Sequence, residues 1–240
     1  VTSPSALNFF EHLEELRKRI LIGLAALLAG TILGYLCSDR ALELFLSPIL
    51  GQIGEAYFFS PAEALIVKLK VALFLGAFVS SPVIFWQFWI FISPALYQKE
   101  KSAFLFLVSI TAALFVSGAL FSFYVVLPPA LHFFVGMRTP YLKPMISVTE
   151  YISFLSGMSL AFGVAFNLPV VLLGLTRAGI VNGAMLRQYR RHAVVLIFIA
   201  AAILTPGPDI ASQLMLAAPL FILFEASVFL TKVFEPGKRV

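Results

Sequence analysis

The chain has 240 residues, 60% of them apolar and only 12% charged, with a formal net charge of +5 and a mean hydropathy of +0.98. A soluble domain carries roughly 25% charged residues and could not cover this much apolar surface, so a water-soluble fold is excluded. The basic residues sit in short clusters beside apolar runs, which points to membrane topology and away from nucleic acid.

Six apolar stretches follow one another: residues 20–36, 71–92, 103–127, 151–175, 193–204 and 214–230. A spanning helix needs about 17 to 25 residues, so the middle ones qualify, the first and last are marginal, and the fifth is short. The first is preceded by Arg17, Lys18 and Arg19, as a signal peptide would be. It is read as a retained helix, because Gly34-Tyr35-Leu36-Cys37 lacks the small residues of a cleavage site. Segments 38–69 and 128–150 are long, amphipathic connections, with apolar side chains such as Tyr57, Phe58 and Phe59 able to order them as a cap. Pro82, Pro169 and Pro219 fall within the second, fourth and sixth spans, where each removes a backbone donor and bends its helix. The fifth and sixth spans meet at Pro206-Gly207-Pro208, either as a re-entrant pair or as short crossings of a thinned bilayer.

An inside N-terminus places 12 of the 17 basic residues on one side, which favours six crossings with both ends cytoplasmic. The expected fold is therefore all-α: a polytopic membrane protein of six transmembrane helices in a curved bundle, the last two short, in one integral membrane domain over 1–240. Its expected location is the bacterial cytoplasmic (inner) membrane.

Enzyme chemistry lacks its inventory. Glu11-His12 does not make a zinc-binding His-Glu-x-x-His pair, the only aspartates, Asp39 and Asp209, lie outside the spans, and His132 and His192 sit at span ends on opposite sides. No metal site, cofactor or catalytic residue is expected. The acids at the inner rim carry more information. Glu11, Glu14 and Glu15 share a helical face one turn ahead of Arg17, Lys18 and Arg19, a spacing that also suits local ion pairs. Asn167 and Glu225 are the polar residues placed deep in spans, where an ionised group costs roughly 2.5 to 3.5 kcal/mol on insertion scales, so each should face protein or water. Gly30 and Gly34 form a small-xxx-small pair suited to close helix packing.

Three runs resemble one family: Phe10-Glu11-His12-Leu13-Glu14-Glu15-Leu16-Arg17-Lys18-Arg19, Ser81-Pro82-Val83-Ile84, and Phe91-Ile92-Ser93-Pro94-Ala95-Leu96-Tyr97-Gln98-Lys99-Glu100-Lys101. With Ala161 to Phe166 before Pro169, and Thr205-Pro206 ahead of Asp209, Ser212 and Gln213, they are similar to the TatC family, the multispanning subunit of the twin-arginine protein translocase. The resemblance implies a noncatalytic receptor and assembly scaffold that binds twin-arginine signal peptides of folded proteins, with export powered by the proton-motive force. By the same resemblance Glu15 and Glu100 are candidate arginine-binding carboxylates, with Arg17 and Phe91 in the same patch. Thr205 and Gln213 are candidate contacts for single-span subunits of the TatA and TatB type, ordinary loop hydrogen bonding being the alternative. Relatives usually carry an acid or Gln where Asn167 stands, which weakens a charge-relay role for it. Membrane lipids and a second copy within the complex are further expected partners; nucleic acid is not. The rival function is a small-solute channel or secondary transporter, which would need more intramembrane polar groups along one path.

Overall fold

The computed structural model describes residues 4–54, 56–92, 101–136, 145–177, 183–204 and 210–234. In chain order the helices are α1 (Pro4–Leu36), α2 (Ser38–Ile53), α3 (Glu63–Ile92), α4 (Lys101–Phe121), a π-helical turn (Ser122–Val126), α5 (Leu127–Gly136), α6 (Val148–Phe166), α7 (Leu168–Arg177), α8 (Gly183–Gln188), α9 (Arg190–Leu204) and α10 (Ile210–Phe234). Among the described residues, the stretches 13–36, 63–92, 104–136 and 148–176 are long and apolar enough to cross a membrane. The expected last two spans are α9, with 15 residues, and α10, with 25. At 1.5 Å per residue α9 covers about 22 Å, short of a hydrocarbon core about 30 Å thick.

The helices outrun the apolar windows that located them. α3 starts at Glu63, eight residues before the expected start, because Glu63 accepts the Phe59 N–H at 2.7 Å and closes the entry turn. The connection expected at 38–69 holds the amphipathic α2, which buries Phe45 and Ile49. Pro48 and Glu63 thus lie in helices.

Prolines are absorbed in two ways. Pro48 and Pro82 have no N–H to offer the carbonyls four residues back, Leu44 and Phe78; in each case the preceding serine, Ser47 or Ser81, donates its hydroxyl to that carbonyl at 2.7 Å. The helices therefore continue. Before Pro128 and Pro129 the ladder instead shifts register, with the Leu127 N–H reaching the Ser122 oxygen, and the wider turn carries the helix on into α5.

By internal contact the chain divides into two compact units, 1–39 with 71–113, and 40–70 with 114–240. In the first, α1 and α3 approach at backbone distance. A Cβ at Gly30 would stand 2.7 Å from the Gly76 oxygen, one at Gly34 2.5 Å from the Ala72 oxygen, and one at Gly76 2.6 Å from the Thr31 nitrogen. The Gly30–Gly34 pair is thus a packing device, as its spacing suggests. α4 is fixed to α3 by Trp89, whose buried Nε1 donates to Thr111 Oγ1 at 3.0 Å, and by an edge-on Trp86–Phe104 contact.

In the second unit, the α6 face of Tyr151, Leu155, Met158 and Phe162 is buried. Gly118 lets α4 approach α6, since a Cβ there would meet the Phe162 oxygen at 2.5 Å. The segment around Tyr57 and the start of α6 are ordered against each other. Tyr57 and Ser147 form a parallel backbone bridge, Tyr151 Oη donates to the Phe45 carbonyl at 2.7 Å, and Lys70 Nζ donates to Ser153 Oγ at 2.6 Å. The side chains of Tyr57, Phe58 and Phe59 stay largely exposed, while backbone and side-chain hydrogen bonds join the two segments.

Candidate functional site

Of the two described acidic residues at the start of the first membrane stretch, Glu14 and Glu15, Glu15 is the one paired across a helix turn. It lies on α1, half exposed, and its Oε1 accepts from Arg19 Nη2 at 2.9 Å, the i,i+4 pair anticipated from the spacing. Arg19 extends the network to the neighbouring helix, its Nη1 donating to Gln87 Oε1 of α3 at 3.0 Å. Arg19 Nε is buried and has no hydrogen-bond partner. Phe91, one turn beyond Gln87, lines the same groove as Arg19 and Gln87. Arg17 is exposed on another side of α1, beside Glu14 and Lys18. Of the expected recognition patch, Glu15, Arg17 and Phe91 are therefore described in the first unit, and Glu100 lies outside the described residues.

Arg19 and Gln87 are the additions. Neither is singled out by sequence: Arg19 reads as one of three basic residues flanking a span, and the Gln87 side chain gains meaning only when α3 is laid on α1. Together they hold the Glu15 carboxylate by one oxygen. A carboxylate offers two oxygens and about four lone-pair positions, so capacity for an incoming guanidinium remains.

The deep polar residues have separate roles. Asn167 closes α6 just ahead of Pro169 and is 97% buried. Its backbone N–H bonds to the Val164 oxygen at 3.0 Å, a tightened turn that abandons the Gly163 carbonyl; the side-chain Nδ2 then takes that carbonyl at 2.9 Å. Asn167 thus faces protein and satisfies its own helix, while its Oδ1 is buried without a partner. Glu225 on α10 pairs with Arg190 on α9 at 2.8 Å, with both side chains partly exposed. Gln213 on α10 donates from Nε2 to the Phe198 carbonyl on α9 at 2.9 Å. These two bonds tie the α9–α10 hairpin at two levels, and Leu186, Phe224 and Val228 form a buried cluster with Leu172, Ala193 and Ile197 around it. Thr205 lies outside the described residues.

Comparison with known proteins bears on the whole chain. Residues 11–219 match the family model of the Sec-independent protein translocase protein (TatC). A protein of Carboxydothermus hydrogenoformans named Sec-independent protein translocase protein TatC is 39% identical over 230 residues, 96% of this chain and 95% of that protein. One of the same name from Aquifex aeolicus is 40% identical over 233 residues, 95% of this chain and 96% of its own length. A crystal structure described as the twin arginine translocase receptor TatC superposes with a TM-score of 0.85 at 39% identity, covering 93% of this chain and 99% of that one. With family match, full-length identity and fold in agreement, this chain belongs to the TatC family of Sec-independent protein translocase components and is a multi-pass helical membrane protein.

Proposed function

We propose that the chain is the receptor subunit of a twin-arginine translocase, capturing the paired arginines of export signals on Glu15 and Glu100 at the cytoplasmic face of the inner membrane. The observation that carries this reading is the placement of Glu15: a partly exposed carboxylate at the start of a spanning helix, held at 2.9 Å by Arg19 through one oxygen, the other bonding no side chain among the described residues. A guanidinium is planar, always charged and able to bond a carboxylate through two N–H groups, whereas a lysine ammonium is a compact point charge. A carboxylate on a fixed helix therefore discriminates the two. Phe91 adds an apolar contact beside Arg19, and Arg17, on another side of α1 beside Glu14, contributes at most its long-range charge.

Hydrogen bonds to charged groups contribute about 1.5 to 3 kcal/mol each, so two signal arginines supply roughly 3 to 6 kcal/mol. Micromolar binding needs about 8 kcal/mol. The remainder comes from the apolar stretch of the signal lying against lipid-facing helix surfaces. A signal that keeps both arginines but carries a polar stretch is expected to bind far more weakly; equal affinity in a fluorescence-anisotropy titration would remove this part of the reading.

Both termini are cytoplasmic in this reading, with the 12 basic residues of the inner loops holding that orientation. Single-span subunits of the TatA and TatB type dock near the turn between α9 and α10, where Thr205 and Gln213 offer polar contacts. The short α9 thins the bilayer beside it, lowering the barrier to a folded cargo. No residue of the chain is assigned a catalytic step; the function is recognition and assembly.

A further inference from the structure

At the junction of α8 and α9 three arginines come together: Arg187 in the last turn of α8, and Arg190 and Arg191 at the start of α9. Arg190 bonds Glu225 of α10 at 2.8 Å. Arg187 and Arg191 are exposed and, among the described residues, meet no acid. The first turn of α9 holds no acid either, so two guanidiniums stand at the positive end of the helix dipole with one carboxylate to offset them. The junction keeps helical register: the Tyr189 N–H bonds the Met185 carbonyl at 2.9 Å, and the Tyr189 carbonyl accepts the Ala193 N–H at 3.0 Å. Arg187, Arg191, Val195, Ile199 and Ile203, each four residues after the last, therefore share one face, and its three apolar members are at least half exposed.

Depth places that face in the bilayer. Gln213 meets Phe198 and Glu225 meets Arg190, so α9 and α10 run antiparallel with residues 190 and 225 at one level. α10 continues past that level to Phe234, about 13 Å at 1.5 Å per residue, and Phe229, one turn beyond Glu225, is 66% exposed. An exposed phenyl ring on a membrane helix lies against acyl chains. Arg187 and Arg191 thus stand level with apolar surface, within a side chain's reach of the phosphates.

We propose that Arg187 and Arg191 clamp the phosphate of one anionic phospholipid, its acyl chain lying along Val195 and Ile199. Charge, depth and shape select this occupant. A guanidinium matches a phosphate through paired N–H groups, and both side chains are open to it. The stripe from Val195 to Ile203 is about 12 Å long, most of a leaflet's apolar depth of roughly 15 Å, so one acyl chain covers it, whereas a soluble anion would leave it bare. A zwitterionic lipid brings the same phosphate with an ammonium attached, which the arginine pair repels; phosphatidylglycerol brings none.

The site uses none of the residues of the proposed signal recognition, and no signal peptide enters its test. The purified full-length chain in neutral detergent is titrated with phosphatidylglycerol and with phosphatidylcholine of matched chains, bound lipid being counted by native mass spectrometry. The wild type is expected to retain phosphatidylglycerol about tenfold more tightly, the equivalent of one charge-assisted hydrogen bond. Arg187→Gln combined with Arg191→Gln should bind the two lipids alike, while Arg40→Gln, which removes an exposed arginine of α2, should keep the full preference. Val195→Ser combined with Ile199→Ser should weaken both lipids by the same factor. Equal retention of the two lipids by the wild type, an undiminished preference in the double glutamine variant, or undiminished binding in the double serine variant overturns the proposal. So does a photo-crosslinker at position 191 that captures a protein subunit and no lipid in membranes holding the assembled translocase, since the face would then belong to a protein helix.

Discussion

Glu15 is placed by its neighbours before any ligand arrives: Arg19 holds one oxygen and is itself steadied by Gln87. Removing the charge while keeping the shape tests that arrangement. Glu15→Gln is expected to weaken a twin-arginine signal peptide about tenfold or more, from the loss of one charged hydrogen bond, and to shrink its advantage over a twin-lysine variant, as read by isothermal titration. Asn167 presents the opposite case, a polar side chain spent on its own helix. Asn167→Leu leaves the Gly163 carbonyl unpaired and is expected to lower stability by about 1 to 3 kcal/mol, seen as a lower midpoint in thermal unfolding in detergent. An unchanged midpoint would mean that the carbonyl finds another partner. At this scale the sequence showed which acids stand near bases, since i,i+4 spacing is local. It did not show Gln87 or Arg190, whose partners come from other helices. Arg190 and Glu225 do lie nearly equidistant in sequence from Gly207, so folding the hairpin at that turn on paper would have paired them.

Among the elements, glycine sets the closest contacts. Gly76 meets the backbone of Thr31, and backbone cannot swing aside as a side chain can. Gly76→Ala is expected to push α1 from α3 and cost about 1 to 3 kcal/mol, whereas Gly136→Ala, where a Cβ meets nothing within 4 Å, should be neutral or stabilising in the same melt. Comparable losses at both positions would refute the packing argument. The α9–α10 hairpin is joined by a partly exposed ion pair, for which a contribution below about 1 kcal/mol is expected. Glu225→Gln should therefore shift the melting midpoint only slightly, and the charge-swapped double variant Arg190→Glu with Glu225→Arg should return it. The order of the long apolar helices was legible in the hydropathy, because spanning segments must be apolar along their length, but the amphipathic α2 and the breaks that divide the later stretches into shorter helices were not. Helix ends were not. They depend on the Glu63 entry turn, on serines that repair proline gaps and on a register shift before Pro128, none of which alters local hydropathy.

For the whole molecule, membership of the TatC family of Sec-independent protein translocase components goes with a multi-pass helical membrane fold. The family was legible from the runs around Glu15, Phe91 and Pro169, since they combine charge, aromatic and proline positions that packing alone does not dictate. The groove beside Arg19 was not legible, because its two walls lie more than fifty residues apart and its floor is a single glycine. The central claim is that fixed carboxylates at the inner boundary distinguish guanidinium from ammonium. Its most direct test is photo-crosslinking from a probe at position 100 and from one beside Glu15 to a twin-arginine signal and its twin-lysine variant, in membranes containing the assembled translocase. Strong crosslinks from both probes to the twin-arginine signal, and weak ones to the twin-lysine variant, are predicted; equal crosslinking of the two signals would contradict it.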